Sequence, residues 1–135
     1  MKYSITKSTR RRDKRGFLVD FLKLDELVEK DKIFGQAYCI TFETPRAVRG
    51  NHYHTGKKEW FVAIKGRLKV VLEDVKTKEH VEFILDGDRD EYKRIEISEN
   101  IAHAFKNISR TAVMINYCNK PYHPEDPDSI HYKLL

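Results

Sequence analysis

The chain has 135 residues, of which 40% are apolar and 35% are charged, and its formal net charge at neutral pH is +5. This length suits one domain with a substantial core, so residues 1–135 are expected to form a single domain. No apolar run approaches membrane-spanning length and the N-terminus lacks a secretory apolar block, which argues against a membrane protein and predicts a cytoplasmic location.

Much of the excess positive charge lies in the N-terminal segment. A basic arm is typical of nucleic-acid binding, but neither an array of stacking aromatic residues nor a recognition helix follows it, so no nucleic-acid partner is predicted. Two alternatives stay open: the run Arg10–Arg12 is a solvated tail, or one or two of the arginines meet the phosphates of a small anionic ligand. The basic residues of this segment are Lys2, Lys7, Arg10, Arg11, Arg12, Lys14 and Arg15.

A helical pattern is confined to residues 22–30, LKLDELVEK, where Leu24, Leu27 and Val28 share one face. Strand-like segments follow at short intervals, and many short strands after one short N-terminal helix predict an all-β sandwich or small barrel. Such architectures place ligands in the barrel mouth. The predicted strands are FGQAYCITFE, EWFVAIKG, RLKVVLEDV, HVEFIL, YKRIEI, IAHAFKN and TAVMINY.

Turn residues separate these strands at positions 65–66, 76–78 and 86–88. Cys39 and Cys118 lie in alternating apolar stretches without CxxC spacing. They are therefore expected to be buried free thiols, with a disulfide as the alternative.

The stretch RGNHYHTGKKEWF contains the candidate chemistry. Residues two apart on a strand share a face, so His52 and His54 are expected to project together while Tyr53 points away. A hairpin could fold Glu59 back onto both imidazoles, and a third imidazole is available at His103. Three histidines and one carboxylate form a ligand set that Zn, Fe, Mn, Ni or Cu could accept.

The spacing also resembles a known family. HYHTGKKEWFVAIKG has the His-x-His, Glu and Gly order of the first cupin signature. IAHAFKN, with His103 and Asn107, resembles the second signature, although residues 98–100 replace its usual Pro-x-Gly. The resemblance implies a cupin jelly-roll β-barrel whose histidines and glutamate point into the lumen.

Further sequence motifs indicate which group of cupins the chain resembles. DKRGFLVDF, Gln36, AVRGNH, IAHAF and YCNKPYHPEDPD resemble, in order, those of dTDP-4-dehydrorhamnose 3,5-epimerases. RGNHYH together with PEDPD is more similar to the cupin domains of capsular-polysaccharide epimerase/reductases, and the dTDP-sugar 3,4-ketoisomerases share the Arg-Gly-x-His-x-His phrase. All three act on nucleotide-linked 4-keto-6-deoxy sugars. The resemblance therefore implies a homodimeric isomerase of dTDP- or UDP-sugars in surface-polysaccharide biosynthesis.

A C4 ketone acidifies the protons on its neighbouring carbons, so epimerisation needs a base, a group that holds the enolate, and an acid on the other face. His52 suits the base because its ordinary pKa lies near neutrality. By resemblance, Tyr122 is the predicted acid and Tyr38 the second choice. The resemblance also implies a set of substrate-binding residues, namely Arg15, Asp20, Gln36 and Arg49.

The chain departs from the epimerases at three points. His54 replaces a glutamine, Glu59 replaces a lysine that helps to hold the enolate, and the aspartate that orients the catalytic histidine has no obvious counterpart. No cofactor is required by the resemblance, but a divalent metal such as Zn, Mn or Fe could polarise the ketone if it were bound by His52, His54, Glu59 and His103. Three alternatives stay open: a 3,4-ketoisomerase, a metal-dependent cupin of other chemistry, and a non-catalytic sugar-binding cupin.

Overall fold

The computed structural model describes residues 1–135 and contains twelve β-strands. Ten of them form two five-stranded antiparallel sheets, and β2 and β3 form a separate hairpin. The all-β prediction is confirmed. The strands are β1 Tyr3–Thr9, β2 Arg11–Asp13, β3 Gly16–Leu18, β4 Gln36–Phe42, β5 Val48–Tyr53, β6 Glu59–Lys65, β7 Arg67–Asp74, β8 His80–Asp86, β9 Glu91–Ile97, β10 Ile101–Asn107, β11 Ala112–Cys118 and β12 Ile130–His131.

The two large sheets pack face to face in a jelly-roll arrangement. Their strand orders are β1-β9-β6-β11-β4 and β12-β5-β10-β7-β8. Apolar side chains from both sheets fill the space between them, and each buried Leu, Ile or Phe contributes about 1.5–3 kcal/mol of transfer free energy. The core residues are Phe42, Phe61, Ala63, Leu68, Val70, Leu72, Leu85, Ile95, Ile97, Ile101, Phe105, Ala112 and Met114.

The three predicted turns are confirmed. Residues 65–66 connect β6 to β7, residues 76–78 lie between β7 and β8, and residues 86–88 lie between β8 and β9. These tight connections place strands that are adjacent in sequence either side by side, as in the β7–β8 hairpin, or across the core.

The helix predicted over residues 22–30 is wrong. The segment forms two separate 3₁₀ turns, Leu24–Glu26 and Glu29–Asp31. Its apolar side chains do not pack onto the core, since Leu24 is 66% and Val28 57% exposed. A nine-residue helix with no buried face is marginal in water, whereas here Arg94 donates hydrogen bonds to the Phe21 carbonyl and the Glu26 carboxylate. No helix in the structure is long and apolar enough to cross a membrane.

The N-terminal segment is not a solvated tail as a whole. Strand β1 pairs along its length with β9, and Arg10 is only 5% exposed. The Arg10 guanidinium lies 4.1 Å from the centre of the Phe17 ring and donates to the Ala63 carbonyl at 3.4 Å. Arg11 and Arg12 do lie at the surface, so the prediction of a solvated run holds for these two residues alone.

The two cysteines differ from each other. Cys118 is buried on β11 as expected, but Cys39 is exposed on β4, so its predicted burial is wrong. The reason is the position of β4 at the open edge of its sheet, where alternating side chains face solvent.

Candidate active site

The segment Gly50–Asn51 produces a bulge in β5, directly before His52. The pairing of β5 with β10 shifts register here, with His52 opposite His103 and Gly50 opposite Ala104. Gly50 has φ +91°, and a Cβ at this position would lie 2.6 Å from the His103 carbonyl oxygen. Only glycine fits this close approach. Asn51 also has positive φ, a conformation that asparagine tolerates better than most residues.

Three imidazoles meet between the two large sheets. The ring centres of His52 and His54 are 4.8 Å apart, those of His52 and His103 are 4.8 Å apart, and those of His54 and His103 are 5.4 Å apart. One nitrogen from each ring lies within 4.8 Å of a nitrogen of the other two. The structure therefore brings together all three histidines that the sequence analysis selected.

Glu59 completes the group from the first position of β6. Its residue exposure is 6%, and its Oε2 atom lies 3.2 Å from Nε2 of His54 and 3.2 Å from Nε2 of His103. Neither contact satisfies hydrogen-bond geometry, so Glu59 Oε2 and His54 Nε2 are buried atoms without a hydrogen-bond partner. A buried polar atom in this state is costly unless a further group satisfies it.

The Nδ1 contacts of His54 and His103 show what charge the cluster can accept. His54 Nδ1 contacts the Asp128 carbonyl oxygen, and His103 Nδ1 lies 3.1 Å from the Ile101 carbonyl oxygen. A carbonyl oxygen only accepts, so Nδ1 carries a proton in both rings, and Nε2 presents a lone pair whenever the ring is neutral. Two lone pairs and a carboxylate oxygen then converge, an arrangement that needs a proton or a cation. The donor set fits a divalent metal ion.

The cluster also sets the ionisation of its members. Burial, reinforced by the nearby His103 and His54, lowers the pKa of His52 to about 3. His52 is therefore neutral at physiological pH and has a free lone pair. Burial opposes ionisation of Glu59, but positive charge at the adjacent His103 and His54 rings outweighs it and holds the pKa of this carboxyl well below its usual range.

A cavity of about 330 Å³ opens beside the cluster. Apart from the histidines and Glu59, three predicted site residues line it: Tyr38 on β4, Arg49 on β5 and Tyr122 in the loop after β11. Tyr38 is half-buried, and burial raises the pKa of its hydroxyl. Tyr122 is 49% exposed.

Three predicted substrate-binding residues lie outside this cavity. The Arg15 side chain is 90% exposed and pairs with Asp13 at 2.6 Å. Asp20 lies 3.6 Å from Arg11 and 3.6 Å from Lys23 on the surface. Gln36 acts through another residue, because its Oε1 accepts a hydrogen bond from the backbone nitrogen of Tyr122 at 2.7 Å.

Sequence reasoning missed Lys57 and Asn116, which also line the cavity. Lys57 is 7% exposed and has neither an ion-pair nor a hydrogen-bond partner in the protein, and its charge adds a small further lowering of the His52 pKa. The sequence signal that could have indicated Lys57 is its position between His54 and Glu59. Asn116 is buried on β11 and donates to the Trp60 carbonyl at 3.2 Å.

Comparison with known proteins places this chain in a family. The family model described as "Polysaccharide biosynthesis C-terminal domain" matches residues 11–130. The chain belongs to this family. A UDP-2-acetamido-2,6-beta-L-arabino-hexul-4-ose reductase from Pseudomonas aeruginosa is 28% identical over 118 residues, which cover 87% of this chain. The chain spans only 29% of the length of that curated relative.

Solved structures share the fold. A 3,4-ketoisomerase from Helicobacter canadensis is 23% identical with a TM-score of 0.76, and the match covers 96% of this chain and 90% of the ketoisomerase. A dTDP-6-deoxy-D-glucose-3,5-epimerase from Legionella pneumophila, solved with dTDP-4-keto-L-rhamnose, is also 23% identical with a TM-score of 0.76, covering 91% and 69%. These likenesses confirm the cupin jelly-roll fold.

The donor set generates a metal-binding prediction. Purified protein stripped with a chelator should bind roughly one Zn²⁺ per chain, because two buried lone pairs and a carboxylate oxygen share one centre. Glu59→Gln should weaken Zn²⁺ binding by at least about 100-fold, whereas Glu43→Gln, at the surface, should not change it. Competition with a chromophoric chelator measures both affinities. Equal Zn²⁺ affinity for the wild type and Glu59→Gln would contradict the assignment.

Proposed function

We propose that the chain is an isomerase of nucleotide-linked 4-keto-6-deoxy sugars, acting by removal of a proton next to the C4 ketone. The observation that carries this proposal is the position of His52, which lines the same cavity as two tyrosines and an unpaired lysine. A base, proton donors and a cation in one cavity are what enolisation requires. The family description and the nucleotide sugars in the names of the similar proteins support the same class.

His52 acts as the base in this scheme. Its free ring nitrogen accepts the proton from the carbon next to the ketone, and the carbon–hydrogen electron pair moves into an enolate whose charge rests on the C4 oxygen. A tyrosine on the opposite face then returns a proton to the same carbon with inverted configuration. A positioned base or acid of this kind contributes about 10²–10⁴-fold to the rate.

Lys57 is the group that we assign to the enolate oxygen. The family's lysine is replaced by Glu59, a carboxylate that cannot stabilise an anion. Lys57 supplies the missing positive charge two residues earlier, and its burial with no partner leaves that charge available to the substrate. Charges held in a partly dehydrated site stabilise a developing oxyanion more than they would in water.

The proton donor is one of the two tyrosines that line the cavity. Tyr122 remains the first choice, because Gln36 holds its backbone at a fixed distance from β4. Tyr38 is the second, and burial keeps its hydroxyl protonated by raising its pKa. Separate Tyr122→Phe and Tyr38→Phe variants distinguish them, since the true donor loses epimerisation while the base still exchanges its proton with solvent.

A metal ion would be held by His52, His54, Glu59 and His103, and when bound it would supply Lewis-acid polarisation of the ketone. His54, Glu59 and His103 provide three of these donors without His52. We propose that an ion held by these three donors alone leaves the lone pair of His52 free, so that His52 keeps its role as base. The proposal predicts that chelation leaves a measurable share of proton exchange.

The central test is proton exchange at the sugar. UDP- and dTDP-4-keto-6-deoxyglucose, incubated with the protein in heavy water, should incorporate deuterium at C3, C5 or both, as read by NMR. His52→Asn should lower the exchange rate by about 10²–10⁴-fold because the base is lost. His80→Asn is the matched control, since His80 lies on β8 outside the cavity. Wild-type protein without exchange on either sugar would remove the isomerase proposal and favour a sugar-binding cupin or another metal-dependent cupin.

The assignment of Lys57 has its own variant. Lys57→Met keeps most of the side-chain volume but removes the charge, so kcat for exchange should fall by about 10²–10³-fold. Lys120→Met serves as the control, because Lys120 is exposed and does not line the catalytic cavity. The two variants and the wild type are compared in the same exchange assay, and a loss of the same size in both lysine variants contradicts a specific role for Lys57.

A second candidate is the 3,4-ketoisomerase reaction, which moves the ketone to C3. The observation that favours it is the pair His52 and His54, whose rings lie 4.8 Å apart beside one cavity and could relay a proton between neighbouring positions. Substrate labelled with carbon-13 at C4 separates the reactions. The carbonyl signal stays on the labelled carbon during epimerisation and leaves it during ketoisomerisation.

We further propose a homodimer in which Arg15 and Asp20 reach the partner's cavity, while Arg49 meets the diphosphate from within its own chain. Arg15→Ala and Arg49→Ala should then each weaken UDP or dTDP binding by about 2 kcal/mol, the scale of a charge-assisted hydrogen bond. Arg110→Ala, at an exposed turn, is the control. Calorimetry measures binding and light scattering the mass. The dimer proposal would be overturned if the protein were a monomer and Arg15→Ala bound the nucleotide as tightly as the wild type.

A further inference from the structure

The C-terminal strap, residues 119–135, closes one side of the catalytic cavity. Tyr122, Pro127 and Ser129 from this strap line the cavity directly. The strap is anchored beyond the cavity as well, because β12 pairs with β5 and both the amide and the carbonyl groups of its end bind Asn51. Its position is thus tied to the same bulge that aims His52.

Asp128 makes the connection between the strap and the histidines. Its Oδ1 accepts hydrogen bonds from the backbone nitrogen and the hydroxyl of Thr55, both at 2.8 Å, and its Oδ2 accepts from the Gly56 nitrogen at 2.9 Å. The carboxylate therefore fixes, by hydrogen bonds, the loop that directly follows His54. Asp128 itself has φ +42°, in the left-handed region that aspartate tolerates better than most residues.

This backbone conformation directs the Asp128 carbonyl oxygen at His54 Nδ1. The His54 side chain is 7% exposed, and its other nitrogen, Nε2, faces Glu59. A neutral ring that donates from Nδ1 to a carbonyl presents a lone pair at Nε2. The three anchoring hydrogen bonds, the carbonyl and the tautomer of His54 thus form one connected chain of contacts.

We propose that Asp128 is a positioning residue, which fixes the tautomer and orientation of His54 and so ties the position of the strap to the geometry of the histidine cluster. The proposal rests on the cavity being the active site of the proposed isomerase. In this proposal Asp128 orients His54 through its backbone carbonyl group. Its carboxylate does not act on the base His52.

The experiment compares the wild type with three variants of the full chain. Asp128→Ala removes the carboxylate anchors but keeps the carbonyl group. Thr55→Val removes only the hydroxyl donor and preserves the Thr55 backbone nitrogen, so it provides a mild variant should Asp128→Ala fail to fold. Glu125→Ala, an exposed acid on the same strap, is the matched control.

Three measurements are made: the His54 tautomer in metal-free protein by long-range proton–nitrogen-15 NMR, the affinity for Zn²⁺, and kcat and KM for proton exchange. We expect a proton on Nδ1 of His54 in the wild type and in Glu125→Ala. Asp128→Ala should populate the other tautomer, bind Zn²⁺ about 10–100-fold more weakly, and lower kcat with little change in KM. Thr55→Val should shift each quantity in the same direction by less.

The tautomer decides the proposal independently of activity. Wild-type His54 with its proton on Nε2, or an unchanged tautomer in both Asp128→Ala and Thr55→Val, overturns it. If the wild type lacks proton exchange but the tautomer responds to the variants as described, the proposed isomerase function fails while the positioning role of Asp128 stands.

Discussion

A buried carboxylate is the constraint around which the site is organised. Glu59 lies at the start of a strand whose next four residues are all buried, so water cannot compensate its charge. An ionised group in such surroundings must be paired or bound to a cation, since its desolvation otherwise costs several kcal/mol. The imidazoles of His54 and His103 provide the nearest partners. Their own Nδ1–H groups are taken by backbone carbonyls, which leaves the centre open to a cation.

The buried charge of Glu59 needs partners on several sides, and several separate segments of the chain supply them. β5 and β10 supply His52 and His103 through direct pairing, and β6 supplies Glu59 from the opposite sheet. The bulge at Gly50 and Asn51 and the C-terminal strap then adjust the remaining geometry. A polar centre is tolerated inside this apolar sandwich because core packing also fixes the strands that contribute to it. Phe61 on β6 and Phe105 on β10, for example, belong to the apolar core.

Much of the fold could be predicted from the sequence, because alternation of apolar and polar residues and the turn residues report directly on local strand geometry. The histidines and Glu59 could be selected because their spacing carries the signature of a family. The helix over residues 22–30 was wrong because local periodicity does not reveal whether a core is available to cover the apolar face. Lys57 and Asp128 were missed for a related reason: their roles depend on which distant segments fold against them.

The wide separation in sequence between His52, His103 and Asp128 has a kinetic consequence. Bringing such distant segments together requires closure of long loops, an entropic cost that precedes any favourable contact, and all-β topologies of this kind fold slowly. No short peptide from the chain, RGNHYH included, retains the assembled donor set. The complete donor set, with Glu59 from the opposite sheet, can therefore assemble only after the two sheets have docked.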